Sequence, residues 1–140
     1  MAKVFFARLG REIKRNEQTG LYSLIGSFVH LTLIKGPVGF VCVVYWEAAN
    51  ETFRQSFALM DEAGNLLDET PATECVLKNR QSNMSTAFFY TGFPRAGRYN
   101  INVYQNGVCI ETIPLHVMNV QQTIDRPLAF FAPVGSVAQS

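Results

Sequence analysis

Between residues 96 and 117 the chain alternates polar and apolar residues. The run Arg98-Tyr99-Asn100-Ile101-Asn102-Val103-Tyr104 leads to Asn106-Gly107 and then to a second alternating run. A period of two puts one face toward a core and the other toward solvent. Asn-Gly accepts the positive φ angles of a tight type I′ turn. Residues 98–104 and 108–117 are therefore predicted to form a hairpin turning at Asn106 and Gly107, with Tyr99 at its corner. The same reading places strands at 4–9, 21–29, 39–46, 52–60, 74–77 and 84–91, with Leu66 and Leu67 resuming the sheet after the Asp61–Asn65 turn. Gly26 interrupts the second strand, as a bulge or a close backbone approach would. Residues 39–46 (GFVCVVYW) are apolar on both parities. Such a strand is covered on both sides, as a central strand or by a partner on its outer face.

No window of 11 residues carries a helical apolar stripe. About eight strands at this spacing predict an all-β fold: an antiparallel β-sandwich, immunoglobulin-like or a related Greek key. Trp46 continues the apolar run and is expected in the core. Gly97-Arg98-Tyr99 is expected to form a tyrosine corner, with the Tyr99 hydroxyl bonded back to a nearby backbone group. Ile101 stands where antibody domains carry a cysteine, so no immunoglobulin disulfide is expected. Residues 1–117 make the sandwich domain, and 118–140 make a C-terminal tail or arm.

Composition sharpens this picture. The chain has 140 residues, 48% hydrophobic and only 16% charged, against about 25% charged in typical soluble domains. It is long enough for a core without disulfide or metal staples. A chain this apolar has either a large core or apolar surface that meets a partner. Net charge is +1, so nothing global directs it to nucleic acid or to a membrane. Lys3, Arg8, Arg11, Lys14 and Arg15 cluster near the start, without the aromatic interleaving of a nucleic-acid surface. They read as a solvated hairpin that protects an edge strand. No apolar run approaches the length of a membrane helix, and the start lacks the form of a signal peptide. The three cysteines, Cys42, Cys75 and Cys109, follow no disulfide or metal-ligand spacing. A reducing, cytoplasmic location is expected.

The order of motifs resembles a bacterial family of small domains of unknown function. The matching pieces are Leu24-Ile25-Gly26-Ser27-Phe28, Phe93-Pro94-Arg95-Ala96-Gly97-Arg98-Tyr99, Asn106-Gly107 and Pro114-Leu115-His116-Val117, with Asp61–Asn65 as the family's Asp-x-x-Gly-x hairpin. The likeness covers roughly residues 3 to 117. These are turn and core motifs, and the resemblance implies no catalytic residue.

Candidate chemistry is sparse. There is no phosphate-binding glycine loop, no Gly-x-Ser-x-Gly elbow and no His-Glu-x-x-His. His30 and His116 lie 86 positions apart, and a metal site would need them to meet in space with a third ligand. His116 is expected to face solvent. Cys109 and His116 fall on opposite parities of one strand and cannot act as a nucleophile pair unless a bulge intervenes. Asp61, Glu62, Asp68, Glu69 and Glu74 read as solvated turns rather than a calcium site. No catalytic, cofactor or metal residue is assigned, and no cofactor is expected. The favoured expectation is a non-enzymatic interaction or assembly module, homo-oligomeric or bound to another protein. Its contact residues would be Val41, Val43 and Tyr45 on the outer parity of the central strand, with Leu128, Phe130, Phe131 and Val134 in the tail. The alternative is a sandwich that binds a small molecule or sugar through Tyr45, Tyr90 and Tyr104, and a hydrolase is third. A flat apolar face favours the first, an aromatic groove the second, and a deep polar pocket the third.

Overall fold

The computed structural model describes residues 2–80 and 83–119. The described residues form eleven strands: β1 (Val4–Gly10), β2 (Glu12–Arg15), β3 (Tyr22–Ile25), β4 (His30–Thr32), β5 (Val38–Trp46), β6 (Glu51–Asp61), β7 (Leu66–Glu69), β8 (Thr73–Leu77), β9 (Asn83–Thr91), β10 (Gly97–Gln105) and β11 (Val108–Met118). One sheet has the order β1-β5-β9. The other runs β4-β11-β10-β6, with β7 and β8 both pairing with β6. Strands β2 and β3 form a separate hairpin. The all-β class is as expected. The strand count is higher because Glu12–Arg15 pairs as a strand with Tyr22–Ile25, and the single strand expected over 21–29 ends at Ile25, with the short β4 following it. Gly26, at φ 67°, ends that hairpin where a side chain would collide with the Arg11 side chain. The sheets are antiparallel except for β4, which runs parallel to β11.

The two larger sheets enclose one core. Phe40, Cys42, Val44 and Trp46 of β5 face Phe53, Phe57 and Leu59 of β6 and Tyr99, Ile101 and Val103 of β10. Leu115 and Val117 of β11, Phe89 of β9, Leu31 of β4 and Leu77 of β8 also belong to it. Trp46 is buried, as expected: its indole Nε1–H donates to Ser85 Oγ at 2.9 Å, and its ring meets Phe53 edge-on at 5.1 Å. Tyr99 forms the expected corner, its hydroxyl donating to the Arg95 carbonyl at 2.7 Å, with Phe93 packed edge-on against the ring. Asn106 and Gly107 have φ of 50° and 81°, the two positive values a type I′ turn requires. Asn106 also continues the neighbouring ladder. Its N–H donates to the Arg54 carbonyl, and its Oδ1 accepts the Arg54 N–H at 2.9 Å. A bulge leaves Ile110 unmatched between Glu111 and Cys109. It shifts the strand's parity, so Cys109 is exposed while Ile110 packs on the core.

Candidate functional site

The informative surface is the outer face of the three-stranded sheet. Strand register places Phe6 and Arg8 of β1, Val41, Val43 and Tyr45 of β5, and Met84, Thr86 and Phe88 of β9 side by side. Tyr90 continues the row beside Gly39. Val41 and Val43 have no exposed surface. Their burial corrects the expectation that they meet a partner. The chain covers its own central strand with the β2–β3 hairpin. Gly10 makes this possible: a Cβ there would lie 2.5 Å from Leu24 Cδ1, so the hairpin leucine seats directly on the glycine. Tyr45 remains half-exposed and stacks on Phe6 with ring centroids 4.4 Å apart.

The hairpin does not cover the whole face. Between it and β9 lies a groove of about 620 Å³, lined by Ile13, Leu21, Tyr22, Tyr45, Met84 and Phe88. Large apolar side chains continue outward from it. Leu21, Phe88 and Tyr90 are 68%, 64% and 72% exposed, and Phe5 leans edge-on against Phe6 at the opposite end. Residues of this size normally bury their area, and contiguous exposed patches are uncommon on monomers. Arg8 lies over the Phe6 ring at 5.4 Å. Arg8, Arg11, Lys14 and Arg15 are exposed along the β1–β2 side, with Lys14 paired to Glu12 at 3.4 Å. Asp68 and Glu74 border the β9 side. Asp68 accepts the Tyr90 N–H, and Glu74 lines a cleft together with Met84 and Thr86. The face therefore has a basic margin and an acidic margin.

The other sequence-derived candidates separate. Tyr104 lies on the six-stranded sheet, its hydroxyl accepting from Asn102, away from Tyr45 and Tyr90. Leu128, Phe130, Phe131 and Val134 lie outside the described residues. Among the described residues no group of three or more His, Cys, Asp and Glu could hold a metal ion. Burial raises the Cys42 thiol to about 12, and desolvation also raises Cys75 despite its contact with Ser85. Neither thiol is poised as a nucleophile. The Asp61 carboxyl is held below its ordinary range by the Asn65 side chain and backbone N–H, which fix the β6–β7 turn. Sequence reasoning missed two arrangements. One is the groove itself, because nothing in the periodicity of residues 11–25 says which face the hairpin covers. The other is the meeting of His30 and His116, which are register partners on β4 and β11.

A family model described as a family of unknown function, DUF6941, matches residues 12–118, and the chain belongs to that family. No curated protein matches the chain. Among solved structures it is similar to a β-glucosidase from Listeria innocua, at 9% identity and TM-score 0.40 over 64% of this chain and only 15% of that one. It is also similar to an immunoglobulin-like protein from Pseudomonas aeruginosa, at 12% identity and TM-score 0.39, covering 80% of this chain and 96% of that one. The CARDB domain of a Pyrococcus furiosus protein, solved with di-metal ions, matches at 14% identity and TM-score 0.43, covering 81% and 90%.

Proposed function

We propose that this domain is a non-enzymatic assembly module that pairs with a second copy of itself through the aromatic outer face of β1-β5-β9. The observation that supports this is the exposed row Tyr22, Phe88 and Tyr90, continued by Phe5 and Phe6. Each large aromatic brings on the order of 100 Å² or more of buriable area. The row therefore offers several hundred Å² per copy, comparable with the ~800 Å² per partner of a stable interface. The margins favour a second copy as occupant. A twofold axis through the face sets the basic β1–β2 margin of one copy against the acidic Asp68–Glu74 margin of the other. An isologous contact needs this self-complementarity. The reading rests on the described face and does not require the tail. The free cysteines, two of them buried, suit a reducing cytoplasm.

The groove volume favours one second reading, an apolar small molecule held against Tyr22, Tyr45 and Phe88, since pockets of ~300–1,000 Å³ suit such ligands. The exposed aromatics reach well past the groove, which favours the larger partner. The test is solution mass by light scattering for the wild-type chain and for Phe88→Asp. Assembly predicts a dimer that becomes a monomer with unchanged circular dichroism. A monomeric wild type at high micromolar concentration would overturn it and favour the ligand reading.

A further inference from the structure

We propose that His30 and His116 form a surface site for a late first-row divalent transition-metal ion, such as Ni(II) or Zn(II). They are the only two histidines of the chain. The parallel pairing of β4 with β11 makes them direct register partners. The next pair, Leu31 and Val117, is buried in the core. Because a strand alternates its faces, both histidines lie on the outer face of the sheet. Neighbouring strands are about 4.8 Å apart. Two nitrogens bound to one tetrahedral ion at ~2.0–2.1 Å lie about 3.3 Å from each other. Imidazole rings reach well beyond their Cβ atoms, so side-chain rotation closes that difference while the backbone stays in place. Neutral imidazole suits Zn, Ni and Cu.

The site has a structural consequence. Strand β4 has three residues and, among the described residues, forms one edge of its sheet with β11 as its strand neighbour. The Leu33 N–H to Met118 carbonyl bond, 2.7 Å, continues that attachment. An ion shared by the two imidazoles adds a cross-strand clamp. Two protein ligands leave the remaining positions to water, unlike the closed four-ligand sphere of a structural zinc site. Arg98, the β10 register partner of His116, is the charged neighbour across the sheet, and its charge opposes a bound cation.

The test uses the full chain carrying Cys109→Ser, which removes the exposed thiol as a competing ligand. In the histidine ring NMR signals, Ni(II) is expected to broaden His30 and His116 together, reversibly with EDTA. The thermal midpoint is expected to rise with added Zn(II). Each of His30→Gln and His116→Gln should weaken binding by at least tenfold, and Arg98→Gln should strengthen it. Acidification should weaken the response, because protons compete with the metal for the same nitrogens. Broadening of one histidine alone, or a response that survives both single substitutions, would overturn the site. So would the absence of any response at millimolar metal. The NMR arm needs no histidine substitution, so a variant that fails to fold leaves the proposal decidable.

Discussion

Ser85→Ala isolates one buried side-chain bond between the neighbouring strands β5 and β9 of the three-stranded sheet. The Trp46 indole Nε1–H donates to Ser85 Oγ at 2.9 Å, and the Cys75 thiol lies 3.7 Å from the same oxygen. Removing the hydroxyl leaves the indole donor buried without its partner. An orphaned buried donor costs about 1–3 kcal/mol. Ser85 lines a cleft with Cys75, Asn83 and Gln55, so water can reach toward the vacated position. That access sets the expectation near the low end, about 1–2 kcal/mol. For a chain of this length, 1 kcal/mol shifts the melting midpoint by roughly 3–5 °C, so the drop should be about 3–10 °C. Urea denaturation should show a lower midpoint with an unchanged slope. Trp46 is the only tryptophan, so its emission reports the site directly and should shift as its donor loses Ser85. A double-mutant cycle with Trp46→Phe should give a coupling of about 1 kcal/mol. A Ser85→Ala chain with wild-type midpoint and emission would refute the reasoning, since the bond would then contribute nothing net.

Gly10→Ala should destabilise the chain by about 1–3 kcal/mol through overpacking. Its methyl meets Leu24, and hydrogen exchange should report faster opening of the β2–β3 hairpin. Tyr99→Phe should lose on the order of 1 kcal/mol by freeing the Arg95 carbonyl, read as a lower urea midpoint. Native thiol titration should find Cys109 reactive while Cys42 and Cys75 react only on unfolding, following their exposure. Burial raises the Cys42 thiol from 9.0 to about 12. The folded state therefore favours the protonated form. That contribution is fully present below pH 9 and is lost as pH rises toward 12. A Cys42→Ala chain should show a shallower alkaline loss of stability than wild type.

Local chemistry made some of this fold readable in advance. Asn106-Gly107 dictates a hairpin wherever it sits between alternating runs, and the Gly97-Arg98-Tyr99 corner needs only its own neighbours. The doubly apolar 39–46 segment correctly implied a strand covered on both sides. What covered it was not readable. The same Val41 and Val43 pattern serves a partner interface or an internal hairpin, and the deciding contact, Leu24 on Gly10, spans 14 residues without any periodic signal. The histidine pair was hidden for a similar reason. Its residues meet through a parallel pairing of three residues, and nothing near either histidine announces it. The groove lies between these two kinds of evidence. Phe88 and Tyr90 alternate as outward residues should, yet only the hairpin's placement turns that row into a cleft.

The most direct test of the assembly account is a dilution series followed by backbone amide NMR on the full chain. Signals of Phe6, Tyr22, Phe88 and Tyr90 should shift together as the concentration rises, with one dissociation constant. That constant should weaken with added salt, because opposed basic and acidic margins are screened. Amides of the opposite sheet, such as Asn102 and Thr112, should stay fixed. Concentration-dependent shifts centred on the six-stranded sheet, or none on the aromatic face, would contradict the account.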